Sequence, residues 1–320
     1  MRGLSFLTTC LLLAGSATAQ IPPPAPEAMR QEAEARTRAN AMPDTAGTGR
    51  YPALKQVDPS LADHVIYRPA NLVGLGGAKL GVLVWGNGGC SDDGASARLH
   101  LLEIASHGYL VIAPGVIGSG PGAPPTPPPT PGTAPMLAVK TTTADVLAGL
   151  DWALAENRRK GSPYFGRIDP RQVAVAGHSC GGLQAIQAAS DPRIHAVIVH
   201  NSGVFTDGTN PIAGMTVDKS LLTKFHTPVL YVLGGPGDIA YPNGTDDFAK
   251  IDKVPAMLLN LDVGHGGTFR QPNGGAVAAV AVKWLDWQLR GDKAAARSFT
   301  GADCTLCTDP KWRVERKKIG

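Results

Sequence analysis

Charged and aromatic side chains are scarce in this chain of 320 residues, of which 18% are Asp, Glu, Lys or Arg and 6% are Phe, Trp or Tyr. Together with 43% hydrophobic residues, this balance excludes a disordered chain and predicts a globular protein with a sizeable core. The net charge is only +4, and no basic stripe recurs outside the run Lys311–Lys318. We interpret that run as a solvated tail and predict no nucleic-acid partner.

An apolar run long enough to anchor the chain in a bilayer is also missing. The stretch Leu4–Ala14 is short, follows Arg2 and precedes the small residues Ala17–Ala19. This arrangement predicts a secretory signal peptide over residues 1–19, cleaved after Ala19. We therefore expect a secreted or periplasmic protein without a stable membrane anchor.

Cysteine is rare, and one of the five, Cys10, belongs to the predicted signal. The remaining four are an even number, which favours disulfides in an oxidising compartment. Cys304 and Cys307 would pair as a local staple in the C-terminal tail. A lone C-x-x-C is also compatible with a redox motif or half a zinc site, but it has no partner pair here, so we predict no metal and no cofactor.

From residue 60 onward, apolar strand-like segments alternate with helical patterns. This alternation predicts an α/β fold with a mostly parallel central sheet and helices on both faces. The predicted strands are His64–Arg68, Leu80–Trp85, Tyr109–Ala113, Gln172–Ala176, Ala196–His200, Val229–Leu233 and Met257–Leu261. The predicted helices are Ala95–Ser106, Thr143–Asn157, Cys180–Ser190 and Gly275–Arg290.

Segments of different composition flank the predicted domain, residues 60–292. Residues 20–59 read as a linker with a Pro-rich start and a short surface helix near Glu27–Arg38. Residues 293–320 read as a tail. Inside the domain, Pro121–Pro135 cannot be a helix or a central strand, and predicts a loop that either walls a site or is an ordinary surface loop.

The strongest motif is Gly177-His178-Ser179-Cys180-Gly181, set between an apolar strand and a helix. A sharp strand-to-helix turn needs glycine on both sides and presents Ser179 as a nucleophile, which requires a neighbouring base. The N-terminus of the following helix would offer backbone N–H groups to a developing oxyanion.

Two later loops supply an acid and a base in the expected order along the chain. Asp238 follows the Val229 strand in a Gly/Pro loop, and His265 follows the Met257 strand. Histidine suits the role of base because its unperturbed pKa lies near neutral pH, and the carboxylate would fix its tautomer. Asp246 and Asp262 compete as the acid, whereas His178 is expected to bond locally.

The oxyanion would need two backbone donors. One is the N–H of Cys180, and the other comes from the loop Gly86–Cys90, with Cys90 favoured and Gly89 second. If both cysteines present amides to one oxyanion, their Cα atoms lie within disulfide reach. A Cys90–Cys180 disulfide would then join the two loops; two buried thiols are the alternative.

Taken together, the motifs resemble the α/β-hydrolase superfamily over about residues 60–292. They are Gly-Asn-Gly-Gly-Cys, Ser-His-Gly-Tyr, Gly-His-Ser-Cys-Gly-Gly, Gly-Gly-Pro-Gly-Asp-Ile-Ala-Tyr-Pro-Asn and Asp-Val-Gly-His-Gly-Gly. The chain looks most like the secreted esterase branch near dienelactone hydrolases and bacterial cutinase-type polyesterases. It departs from the first in having a serine nucleophile, and from the second in lacking tryptophan at 200–203.

The resemblance implies an α/β-hydrolase fold and a triad of Ser179, Asp238 and His265, with amides of Cys90 or Gly89 and of Cys180 as the oxyanion hole. We expect a serine esterase acting on a small or polymeric carboxylic ester, without a cofactor. A peptidase or thioesterase on the same fold, or a catalytically silent binding protein, are the alternatives.

Overall fold

The structure, a computed structural model, describes residues 26–124, 139–206 and 210–320. Its strands are β1 (Ala53–Asp58), β2 (Leu61–Pro69), β3 (Leu80–Gly86), β4 (Tyr109–Pro114), β5 (Ile168–His178), β6 (Ala196–His200), β7 (Val229–Leu233), β8 (Ala256–Leu261) and β9 (Trp312–Lys317). Its helices are α1 (Pro26–Ala41), α2 (Arg98–Ser106), α3 (Thr143–Arg158), α4 (Cys180–Ala188), α5 (Tyr241–Lys250), α6 (Gly275–Arg290), α7 (Lys293–Ala296) and α8 (Thr305–Thr308). The predicted signal peptide and most of Pro121–Pro135 lie outside the described residues.

All nine strands join one sheet, in the order β1-β2-β4-β3-β5-β6-β7-β8-β9. The six strands from β4 to β8 in this order run parallel. The edge strands β1, β2 and β9 are antiparallel to their neighbours. The predicted α/β class with a mostly parallel sheet is therefore confirmed. Because the central strands are parallel, their carboxyl ends meet at one edge of the sheet, where ligands bind in open sheets of this kind.

Alternating side chains of the central strands serve two separate cores. In β3, Val82 and Val84 join one hydrophobic cluster, and Leu83 and Trp85 join the other. Helices α3, α4 and α5 contribute to the first cluster, and α2 and α6 contribute to the second. The period of two along a strand thus explains why these runs are apolar throughout.

The structure corrects the interpretation of the C-terminal tail, because the predicted solvated run contains β9. Trp312 is buried, and Val314 packs against the second cluster. Lys317 donates through Nζ to carbonyl groups at the C-terminal end of α5, where a cation is favoured. In an edge strand with one covered face, apolar residues alternate with charged ones. In β9 this alternation is hard to recognise from the sequence, because most of its residues are charged.

The N-terminal segment also packs against the domain. The predicted surface helix at Glu27–Arg38 corresponds to α1. Arg98 in α2 is buried and donates to the carboxylate of Asp44 and to the carbonyl groups of Ala39 and Met42. Among the residues described, no helix has the length and apolar content needed to cross a membrane.

Candidate active site

Ser179 occupies the tight turn between β5 and α4 at the carboxyl edge of the sheet. Its backbone has φ 55° and ψ −123°, a strained conformation for a residue with a side chain. Glycine is required two residues later, because a Cβ on Gly181 would lie 2.0 Å from the carbonyl oxygen of Gly86. Because residue 181 is glycine, the start of α4 can pack directly on the end of β3.

A continuous chain of hydrogen bonds joins the three side chains singled out in the sequence. His265 Nε2 lies 2.9 Å from Ser179 Oγ, and His265 Nδ1 lies 2.6 Å from Asp238 Oδ1. Because an ionised carboxylate only accepts, Nδ1 carries the proton and Nε2 accepts from the serine hydroxyl. The loops after β5, β7 and β8 thus converge, and Ser179 has a base within hydrogen-bonding reach.

Asp238 is held as an anion by several donors although its side chain is fully buried. Oδ2 accepts from the backbone N–H of Gly234 and from Asn201 Nδ2, and Oδ1 accepts from the N–H of Ala240. Burial raises the pKa of this carboxyl group, but the hydrogen bond from His265 and the backbone donors outweigh it and lower the pKa to about 2. A charged acceptor at this position fixes the orientation of the His265 ring and keeps the proton on Nδ1.

The competing candidates have other surroundings. Asp246, on α5, forms ion pairs with Lys219 and Lys250. Asp262 is exposed. His178 Nε2 donates to the carbonyl oxygen of His265 at 2.8 Å, which is the local role expected of it. Burial, followed by repulsion from His265, lowers the pKa of His178 to about 4.

Among the described residues, the backbone N–H groups of Cys180 and Gly89, near Ser179, donate to no acceptor. The N–H of Cys90 instead donates to the carbonyl oxygen of Asn87 at 3.0 Å. Gly89, the second candidate from the sequence, is therefore better suited than Cys90 to bind an anion. Its φ of 64° turns the chain sharply at this point.

Both predicted cysteine pairings are confirmed. Cys90 and Cys180 form a disulfide with their Cα atoms 5.2 Å apart, and Cys304 and Cys307 form another at 5.0 Å. The first joins the loop after β3, which contains Gly89, to the start of α4, which contains Cys180. The second staples α8.

Removing the two disulfides should have unequal effects on stability. The Cys90–Cys180 bond spans 90 residues and the Cys304–Cys307 bond spans 3. Loop-closure entropy predicts a loss in the free energy of unfolding of about 4.6 kcal/mol for the double Cys→Ser variant of the first, and about 1.6 kcal/mol for that of the second. Urea unfolding of both variants measures the difference, and equal losses would contradict the expectation.

Strained backbone is concentrated at this site. Within the described part of the chain, five non-glycine residues have positive φ, and Cys90, Ser179 and Asn201 are three of them. Sequence reasoning did not single out Asn201, which follows β6 and donates to Asp238. Its signal is an Asn-Ser-Gly sequence directly after a buried strand, since asparagine tolerates positive φ better than most residues.

No family model and no curated protein matches the chain. Among the described residues, no group of three or more His, Cys, Asp or Glu side chains is arranged to hold a metal ion.

Proposed function

We propose that the protein is a serine hydrolase of the α/β-hydrolase fold that cleaves carboxylic esters through an acyl-enzyme intermediate. The observation that carries the proposal is the chain of hydrogen bonds from Ser179 through His265 to Asp238, with the serine at the N-terminus of α4. Serine is a weak nucleophile unless a base removes its proton, and this geometry supplies that base.

Acylation begins as Ser179 Oγ attacks the ester carbonyl and His265 Nε2 takes its proton. The oxyanion binds to the N–H groups of Cys180 and Gly89, which have no other acceptor among the described residues. His265 then donates the proton to the departing alcohol. Water attacks the acyl-enzyme by the same route, with His265 again as the base, and releases the acid.

Export across a membrane fits the cysteine chemistry. Two disulfides favour an oxidising compartment, either outside the cell or in the periplasm. The proposed signal peptide, residues 1–19, would direct the chain there.

The proposal is tested on the purified mature protein with p-nitrophenyl esters from acetate to palmitate. A fluorophosphonate probe is added in parallel, and its attachment site is mapped by mass spectrometry. We expect ester hydrolysis and a single adduct on Ser179, with the best chain length reporting the size of the acyl pocket. Labelling accompanied by turnover of thioesters or peptides alone would contradict an esterase, and neither labelling nor turnover would favour a binding protein.

A further inference from the structure

We propose that Asn201 is a positioning residue, which locks the loop of the acid to the loop of the base. The inference rests on the proposed function, since it assigns Asn201 a role in the same site. A single side-chain amide makes both connections.

Asn201 contacts both loops at hydrogen-bonding distance. Its Nδ2 lies 2.8 Å from Asp238 Oδ2 and 3.2 Å from the carbonyl oxygen of Gly264, the residue directly before His265. The backbone N–H of Asn201 donates to the carbonyl oxygen of Val232 in β7 at 2.8 Å. The side chain of Asn201 therefore extends from the carboxyl end of β6 to both loops.

The surroundings leave this amide little freedom. Asn201 is 1% exposed. A Cβ on Gly234 would lie 2.9 Å from Nδ2, and one on Gly267 would lie 3.2 Å from Oδ1, so both loops pass closely over the side chain. Because Gly234 and Gly267 flank the acid and the base along the chain, displacement of Asn201 would release both loops.

Asparagine combines the two properties that this position needs. Its φ of 45° is unfavourable for most side chains but tolerated by asparagine. Its amide supplies N–H donors, whereas aspartate of the same shape would bring an acceptor oxygen against Asp238. We infer that the residue holds the carboxylate in the orientation that receives Nδ1–H of His265.

The decisive variant is Asn201→Gly, which keeps the positive φ without strain and removes the whole side chain, including the amide. Asn273→Gly is the matched control, because Asn273 also has positive φ, at 54°, and lies outside the site. We expect Asn201→Gly to lower kcat for ester hydrolysis about 100-fold with little change in KM, since small misplacements of catalytic groups have effects of this size. Asn273→Gly should retain the parent's kcat.

Asn201→Asp adds a readout in the pH profile. Two carboxyl groups at this distance share a proton and repel each other once it is lost. Its kcat should therefore decline as the pH rises, whereas the profile of Asn201→Gly should run parallel to that of the parent. A role in folding alone would not produce this difference.

A proton NMR measurement decides the inference independently of turnover. The proton between His265 Nδ1 and Asp238 should give a downfield signal in the parent, assigned by its absence in His265→Gln. We expect the signal to be lost in Asn201→Gly and kept in Asn273→Gly. Should the parent hydrolyse no ester, the proposed function fails, yet loss of this signal still supports the inference. An unchanged signal, or a kcat within threefold of the control, overturns it.

Discussion

Replacing Ser179 by alanine should lower kcat for ester hydrolysis by about 10⁶-fold, because the nucleophile, its base and the acid act as one unit. Alanine removes the hydroxyl oxygen 2.9 Å from His265 Nε2 and leaves the turn in place. Binding of substrate and the two unpaired N–H groups remain, so a small residual rate over water is expected. Initial rates on the best p-nitrophenyl ester, with both proteins prepared identically, measure the effect.

Ser202→Ala is the matched control for this substitution. Ser202 is also buried at the site, and its Oγ donates to the carbonyl oxygen of Ser179 at 2.7 Å. Loss of one such hydrogen bond corresponds to about 1 kcal/mol, so kcat should fall by less than about tenfold. Activity above one hundredth of the parent's in Ser179→Ala, or equal losses in both variants, would contradict a nucleophilic Ser179.

The parts of the fold that could be predicted carry a strong local signal. Each of the seven predicted strands and four predicted helices overlaps an observed element. Buried parallel strands are continuously apolar, and the turn at Ser179 requires glycine for steric reasons, so both are visible within a few residues. The order of serine, acid and base along the chain then identified which loops meet.

The elements that were missed depend on contacts made over long distances. Strand β9 is rich in charge and becomes a strand only by pairing with β8. Helix α5 contains Pro242, Asn243 and Gly244, which favour turns, and it is held by packing of its buried Phe248. Intrinsic propensity is a weak guide where tertiary contacts decide.

Within the site, sequence reasoning found the side chains but not what holds them. Asn201 and Asp238 are 37 residues apart in the chain, and no sequence motif indicates that their side chains form a hydrogen bond. Similarly, the preference for Gly89 over Cys90 follows from one hydrogen bond in a tight turn, Cys90 N–H to Asn87. Hydrogen bonds that hold the site residues in place depend on how the loops are arranged in space, and the spacing of motifs along the chain does not reveal that arrangement.

Acidification from about pH 6 to about pH 4 should reduce the free energy of unfolding by about 5 kcal/mol, because the fold buries neutral histidines. His100 in α2 and His200 in β6 are completely buried, with their ring centroids 5.1 Å apart. None of their ring nitrogens has a hydrogen-bond partner among the described residues. Trp85 and Phe269 pack against both rings.

This environment disfavours the charged form of each ring. Burial lowers the pKa of His100 from 6.5 to about 3, helped by His178 and opposed by the charge of Glu103. Burial also holds the pKa of His200 well below 6.5, with repulsion from His100 and His178 adding to the effect. His178 itself, with a pKa of about 4, is the third such group.

The direction of the pH effect follows from these shifts. A histidine with a lower pKa in the folded than in the unfolded state stabilises the fold fully above pH 6.5, and this contribution is lost as the pH falls. Asp247 acts in the opposite direction, because burial raises its pKa to about 6 and its contribution grows on acidification. The unfolded state therefore binds about two protons more than the folded state, three from the histidines less one from Asp247. This difference corresponds to about 2.7 kcal/mol per pH unit.

Urea unfolding at several pH values between 7 and 4 measures this slope. His200→Phe removes one titrating group from the cluster of rings, so its slope should be smaller than the parent's by about 1.4 kcal/mol per pH unit. His195→Gln is the control, because His195 is exposed, and it should keep the parent's slope. If the parent loses less than about 1 kcal/mol over the same range, the buried histidines do not control acid stability; if His200→Phe retains the full slope, His200 is not among the titrating groups.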